Sequence, residues 1–152
     1  MIRKYFKSDL QSLLEIEQAV HVVPWTADTF KICFQSGYDG WVVALEKKVI
    51  GFVIVALTSH ECHILNVGVA RQHQHQGWGR QLLQHALSQA RLQGAGIIYL
   101  EVRRSNNRAI ALYRKMKFHL VGERKNYYPT QSGNEDALIF AKSLHTNIDI
   151  PT

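Results

Sequence analysis

The chain has 152 residues and a formal net charge of +6, from 18 lysines and arginines against 12 acids, with 46% apolar and 20% charged residues. That length supports one domain of ordinary size rather than two, and the balance excludes a disordered or fibrous chain. No run approaches the ~20 continuous apolar residues of a membrane helix, the first seven residues lack the apolar stretch of a secretory signal, and two cysteines, Cys33 and Cys62, are too few for a disulfide scaffold. A reduced, cytoplasmic protein without a membrane partner is expected. The positive charge favours phosphate-bearing ligands or acidic partners. No block of five like charges and no basic–aromatic repeat occurs, so direct nucleic-acid readout is not expected.

In chain order, residues 2–6 read as a short strand. Ser8-Asp9 offers an N-cap ahead of Leu10, Leu13, Leu14 and Ile16, which fall near helical spacing. Pro24-Trp25-Thr26 breaks that pattern, and Thr26 is placed to cap a second helix to about Ser36, with Gly37 and Gly40 beyond it. Three closely spaced strand-like runs follow, Trp41 to Leu45, Val49 to Leu57 and Cys62 to Val69, as in an antiparallel meander. The period then changes: Leu82, Leu83, Ala86, Leu87 and Ala90 share a helix face, with Gly94 near its end.

Ile97 to Val102 is a nearly continuous apolar run, expected as a strand buried on both faces. Ser105-Asn106 caps a helix carrying Ala109, Leu112, Tyr113 and Met116, and strands over Phe118 to Glu123 and Ala137 to Ala141 follow. Without repeats or a linker, residues 1–144 read as a single domain and 145–152 as a frayed tail. The order is strand, two helices, three strands, helix, strand, helix, two strands: a mixed α/β sheet with a parallel crossover in its middle.

Gln74-His75-Gln76-Gly77-Trp78-Gly79-Arg80 joins the strand ending at Val69 to the helix of Leu82. Backbone N–H groups at a helix start, with glycines removing Cβ obstruction, suit phosphate oxygens, and Arg80 adds a permanent charge. A dinucleotide fingerprint requires a third glycine where Leu82 stands, and a P-loop requires Gly-Lys-Ser/Thr, so neither fits. A plain glycine-rich turn is the competing reading.

This segment resembles the Gln/Arg-x-x-Gly-x-Gly/Ala signature of the GNAT acetyltransferases. Further stretches narrow the likeness: Ile16-Glu17-Gln18, His21-Val22-Val23-Pro24-Trp25-Thr26, Leu100-Glu101-Val102-Arg103, Ser105-Asn106, Ala109-Ile110-Ala111-Leu112-Tyr113 and Asn126-Tyr127-Tyr128-Pro129-Thr130. Together, over about residues 8–143, they are similar to the bacterial ribosomal-protein-alanine N-acetyltransferases, the RimI group. The resemblance implies a mostly antiparallel sheet of six to seven strands with a central parallel pair and about four helices. It also implies acetyl-CoA as co-substrate, no metal, and as acceptor the N-terminal alanine of a ribosomal protein, the eighteenth of the small subunit.

On the same footing, the backbone of Val67, Gly68 and Val69 lies beside the pantetheine, and His75, Gln76, Gly77, Trp78, Gly79 and Arg80 surround the pyrophosphate. Gly68 fits by itself, since a glycine inside a strand marks a bulge or a close backbone approach, though simple packing also accounts for it. Glu101 is the expected general base: in an apolar run its carboxylate is partly desolvated, which favours proton uptake, while a salt bridge to Arg103 is the alternative. An α-amino acceptor at about 7.7–8.0 is far easier to deprotonate than lysine near 10.4. Tyr113 follows Asn106 by seven residues, so both point along nearly the same helix face. The resemblance makes Tyr113 the proton donor to the departing thiolate and has Asn106 contact the cofactor; a buried core tyrosine is the competing reading.

Direct transfer without an acyl-enzyme is expected, because neither cysteine has a partnered neighbourhood in sequence. His60, Cys62, His63, His73 and His75 do not match a strong zinc spacing. Tyr127 and Tyr128 are expected to wall the acceptor entrance, and Glu15, Glu17, Glu61 and Asp136 to supply acids for a basic substrate. Lys117 departs from the glycine usual in relatives; a left-handed lysine there costs on the order of 1 kcal/mol. Two further readings share the cofactor: acetylation of a lysine, polyamine or other small amine, and an acyl-CoA-binding module without turnover.

Overall fold

The structure is a computed structural model and describes residues 1–145. The tail expected over 145–152 therefore lies outside the described residues from 146 on. Packing divides the chain into two compact units, one formed by Met1–Ala56 with Leu65–Ser88, the other by Leu57–Ile64 with the chain from Gln89 onward.

The first unit holds β1 (Ile2–Lys4), α1 (Leu10–Val20), α2 (Ala27–Gln35), β2 (Asp39–Leu45), β3 (Lys48–Leu57), the later part of β4 (Glu61–Val69) and the start of α3 (Trp78–Leu92). Its strands neighbour one another in the order β1-β2-β3-β4, with β1–β2 and β2–β3 antiparallel. Tyr5, Leu13, Ile16, Phe30, Cys33, Val42 and Phe52 form its core. Thr26 caps α2 as expected, its hydroxyl accepting from Thr29 N–H at 3.3 Å. Asp9 does not cap α1 with its side chain. It instead closes a 3-10 turn over Lys7–Asp9, where its carboxylate accepts from Phe6 N–H at 2.7 Å and pairs with both Arg3 nitrogens at 3.0 Å. A guanidinium fork offers that carboxylate two charge-assisted bonds, more than one helix-end amide can.

The second unit holds the start of β4, the end of α3, β5 (Ile97–Arg103), α4 (Asn107–Lys115), β6 (His119–Thr130) and β7 (Gly133–Ser143). Here the order is β4-β5-β7-β6. β4 and β5 pair in parallel from Glu61↔Ile97 to Ile64↔Leu100, whereas β7 runs antiparallel to both β5 and β6. Among the described residues, seven strands with a parallel β4–β5 pair, and four α-helices, make the mixed, mostly antiparallel α/β fold that the sequence led us to expect. β5, however, is not buried on both faces. Ile98, Leu100 and Val102 are buried, while Tyr99, Glu101 and Arg103 alternate with them on a half-open face. β6 also extends well beyond Glu123, through the tyrosine pair to Thr130, with register shifts between Leu120 and Gly122 and between Arg124 and Tyr128.

α4 ends in a left-handed residue. Lys117 has φ 71°, and the N–H groups of Lys117 and Phe118 donate to Arg114 O at 3.0 Å and Tyr113 O at 2.9 Å. These bonds close the helix end, but the Lys117 Cβ crowds its own backbone in that conformation. Lys117→Gly is expected to stabilise the protein by about 1 kcal/mol, raising Tm by about 2–4 °C. A thermal melt followed by circular dichroism checks this; an unchanged or lower Tm would mean that the lysine carries no strain.

Candidate functional site

In the first unit, β4 delivers the chain to the glycine-bearing loop. Val67 and Val69 are half-buried and Gly68 is buried. A Cβ on Gly68 would come within 3.0 Å of the Phe52 ring and 3.4 Å of Ile16, so packing alone accounts for glycine at this position. Beyond Val69 the Gln74 amide donates back to Val69 O at 2.9 Å, fastening the loop to the strand end. His75 (φ 64°) and Gly77 (φ 88°) are both left-handed, which turns the backbone sharply before α3 begins at Trp78.

The first-turn N–H groups of α3 have no intrahelical acceptor and project from the helix end. A Cβ on Gly77 would meet nothing within 4 Å, and one on Gly79 only Val69 at 3.9 Å, so the loop is open. His75, Gln76, Gly77 and Arg80 are exposed, with Trp78 and Gly79 half-buried. An open turn of backbone donors at the positive end of a helix dipole, with a guanidinium on the first turn, is chemically fit for a diphosphate.

In the second unit, the half-open face of β5 carries Glu101. Its carboxylate is 31% exposed and accepts from Arg124 Nε at 2.7 Å. The partner expected from the sequence, Arg103, is engaged elsewhere, donating to Glu135 at 3.0 Å and to Pro129 O at 2.9 Å. Both guanidiniums also cover aromatic rings, Arg103 lying 4.6 Å from the Tyr128 centroid and Arg124 5.3 Å from that of Tyr127. The two tyrosines meet edge-on, their centroids 5.1 Å apart.

Tyr113 is buried, its ring against Phe118 and Phe140. Burial, and then the nearby Tyr128 phenol, push the Tyr113 hydroxyl up to about 12. Tyr128 is likewise pushed up to about 12, by burial, the Glu101 carboxylate and Tyr127, against the opposing pull of Arg103 and Arg124. Glu101, Tyr113 and Tyr128 are thus members of one electrostatic neighbourhood, a solvent-reaching carboxylate near two phenols that burial keeps protonated, with the Tyr127 ring edge-on to Tyr128.

Asn106 heads the helix that carries Tyr113. It stands outside the first helical turn as the exposed N-cap of α4, and its side-chain oxygen accepts from Ala109 N–H at 3.2 Å. Among the acids anticipated for a basic substrate, Glu17 is misplaced: it is only 1% exposed and is held by Trp25 N–H and the Asn66 amide. Asp136 pairs with Arg104 and Lys125 and accepts from Asn126 N–H, and Glu61 pairs with His63. Sequence reading missed Arg124 and Glu135. Their only signal was charge on segments taken for loop.

Among the described residues, no group of three or more histidines, cysteines or acids is arranged to hold a metal ion, and no helix is long and apolar enough to cross a membrane. Both cysteines are buried, and burial pushes the Cys33 thiol up, away from the thiolate form.

The family model described as acetyltransferase (GNAT) family matches residues 10–118. The [ribosomal protein bS18]-alanine N-acetyltransferase of Escherichia coli (strain K12) is 37% identical over 134 residues, covering 88% of this chain and 90% of that protein. The protein of the same name from Haemophilus ducreyi is 34% identical over 145 residues, 95% of this chain and 100% of the relative. Among solved structures, the ribosomal-protein-S18-alanine N-acetyltransferase from Escherichia coli is similar with a TM-score of 0.90 at 35% identity, covering 95% of this chain and 93% of that one.

Proposed function

The chain belongs to the GNAT acetyltransferase family, and from that premise we propose that it moves the acetyl group of acetyl-CoA to the N-terminal alanine of a ribosomal protein, the acceptor for which its bS18-modifying relatives are named. The observation that carries this reading is the 34–37% identity to those relatives over 88–95% of the chain, and the carboxylate of Glu101 among the rings of Tyr127 and Tyr128 supports it. We assign the chemistry to residues 1–144 acting as one catalytic domain, in the cytoplasm where ribosomal proteins are made.

Acetyl-CoA supplies the thioester carbon that the acceptor amine attacks. Val67 to Val69 flank its pantetheine arm with backbone, and His75 to Arg80 hold its pyrophosphate with main-chain N–H groups and the Arg80 charge. Glu101 takes the proton that the α-ammonium must lose before it can attack. Its pair with Arg124 is no obstacle, since an exposed ion pair is worth only about 0–1 kcal/mol and an incoming ammonium can replace it. An α-amino group titrates at about 7.7–8.0 and is far easier for one carboxylate to deprotonate at neutral pH than a lysine near 10.4. Tyr113 offers its hydroxyl hydrogen to the departing thiolate. Tyr127, exposed, and Tyr128, half-buried, wall the acceptor entrance. Asn106 contacts the cofactor through whatever its capping bond leaves available.

Mass spectrometry of an Ala-initiated peptide incubated with protein and acetyl-CoA tests the reading. One added acetyl group on the α-amine is expected, and none when that amine is blocked. Acetylation confined to a lysine would transfer the reaction to a different acceptor class.

A further inference from the structure

The clearest feature outside the mechanism above is a buried carboxylate in the first unit. Glu17 stands in the last turn of α1, 1% exposed. Desolvating a carboxylate is costly unless every oxygen is engaged. Here Oε2 accepts from Trp25 N–H at 2.9 Å, and Oε1 accepts from the Asn66 amide at 2.8 Å with His21 Nε2 at 3.4 Å. His21 Nε2 lies 3.1 Å from Val67 O. A carbonyl only accepts, so Nε2 bears the hydrogen, and the carboxylate beside it favours that tautomer.

These contacts have a direction. Each one ties the connection between α1 and α2 to adjacent residues of β4: Trp25 and Asn66 through Glu17, and His21 directly to Val67. Arg71, just past β4, adds a bond to Ala19 O. Val22 and Val23 in the connection are 68% and 52% exposed, so besides the Trp25 ring, which packs on Phe30, these bonds are what holds it. A well-packed apolar side chain in place of Glu17 would fill the space at no desolvation cost, but it would leave Trp25 N–H and the Asn66 amide without their acceptor.

We propose that Glu17 and His21 are positioning residues for acetyl transfer, clamping the α1–α2 connection onto Asn66 and Val67 so that the Val67 backbone is held at a fixed place. This rests on the reading that Val67 to Val69 flank the thioester arm. The diphosphate loop takes no part in the clamp, so loss of the clamp should slow transfer far more than it weakens binding of the coenzyme.

The test uses His21→Leu, which removes the donor at a partly exposed site, and His21→Gln, whose amide N–H reaches a similar distance. For His21→Leu, kcat per folded molecule is expected to fall about tenfold, since small misplacements of reacting groups slow transfer steeply. Its calorimetric Kd for CoA should stay within about twofold of wild type, and His21→Gln should recover most of the lost kcat. Glu17→Gln, if it folds, should behave like His21→Leu. Wild-type kcat in His21→Leu would overturn the proposal, as would a parallel loss of CoA affinity or no recovery with glutamine. An inactive wild-type protein would instead refute the transferase reading itself.

Discussion

Glu101→Gln is expected to lower kcat for an Ala-initiated peptide by about 10²-fold or more, the usual contribution of a positioned general base. The amide matches the carboxylate in size and still accepts from Arg124, so the half-open face of β5 keeps its packing. What the amide cannot do is take a proton. The acceptor would then attack only as the fraction already neutral in solution, and raising the pH toward the α-amino pKa should recover part of the rate. Steady-state thiol release between pH 6 and 9, with a calorimetric titration of acetyl-CoA alongside, measures both quantities. Unchanged affinity with a large loss of kcat is expected, because the carboxylate lies apart from the diphosphate loop in sequence and in chemistry. A Glu101→Gln variant turning over at the wild-type rate would disqualify this acid as the base and favour an acyl-CoA-binding module or another proton acceptor.

Tyr113→Phe is expected to cost a comparable factor, about 10²-fold in kcat, by removing the one hydrogen offered to the leaving thiolate. The variant keeps the ring between Phe118 and Phe140, so the core of the second unit is preserved. With the wild-type hydroxyl pushed up to about 12, the phenol stays protonated across the whole assay range, and no alkaline fall in rate below pH 10 should be traceable to it.

The same burial has a second readout. The unfolded phenol ionises near 10.0 and the folded one at about 12, so folding favours the neutral form. Its contribution is fully present below pH 10 and is lost as the pH rises toward 12, where only the unfolded chain has released the proton. The loss is about 3 kcal/mol in order of magnitude. Urea unfolding at pH 9, 10 and 11 should therefore show wild type losing stability relative to Tyr113→Phe. Parallel curves would mean that the hydroxyl is open to water.

Local chemistry made much of this fold legible. Thr26 caps α2 and Asn106 caps α4 as read, because a cap is decided within three residues. Caps, apolar runs and hydrophobic periods located the four α-helices and part of each strand among the described residues. Legibility ended where distant segments meet. Asn126, left-handed at φ 52°, and Pro129 look like loop residues, yet both lie within β6: a register shift absorbs Asn126, and Pro129 pairs with Asn134 on a strand that ends the order, where a missing N–H is tolerated. With that strand hidden, so was Arg124, which reaches Glu101 from a strand two positions away in the sheet. β5 appeared buried on both sides because Tyr99, with its apolar ring, occupies the open face beside Glu101 and Arg103. Burial of Glu17 was equally invisible: an acid in an amphipathic helix suggests solvent unless its amide donors, one of them 49 residues away, are known.

The interrupted register of β6 also bears on how the molecule avoids its own kind. β6 ends the strand order among the described residues, and a long uncovered end strand is ordinarily a template for another chain. Two breaks in the ladder spacing, together with the charged run Glu123, Arg124 and Lys125, are devices that blunt such an end strand against pairing with a second copy. The irregularity that conceals this strand in the sequence is thus of the kind that discourages edge-to-edge association.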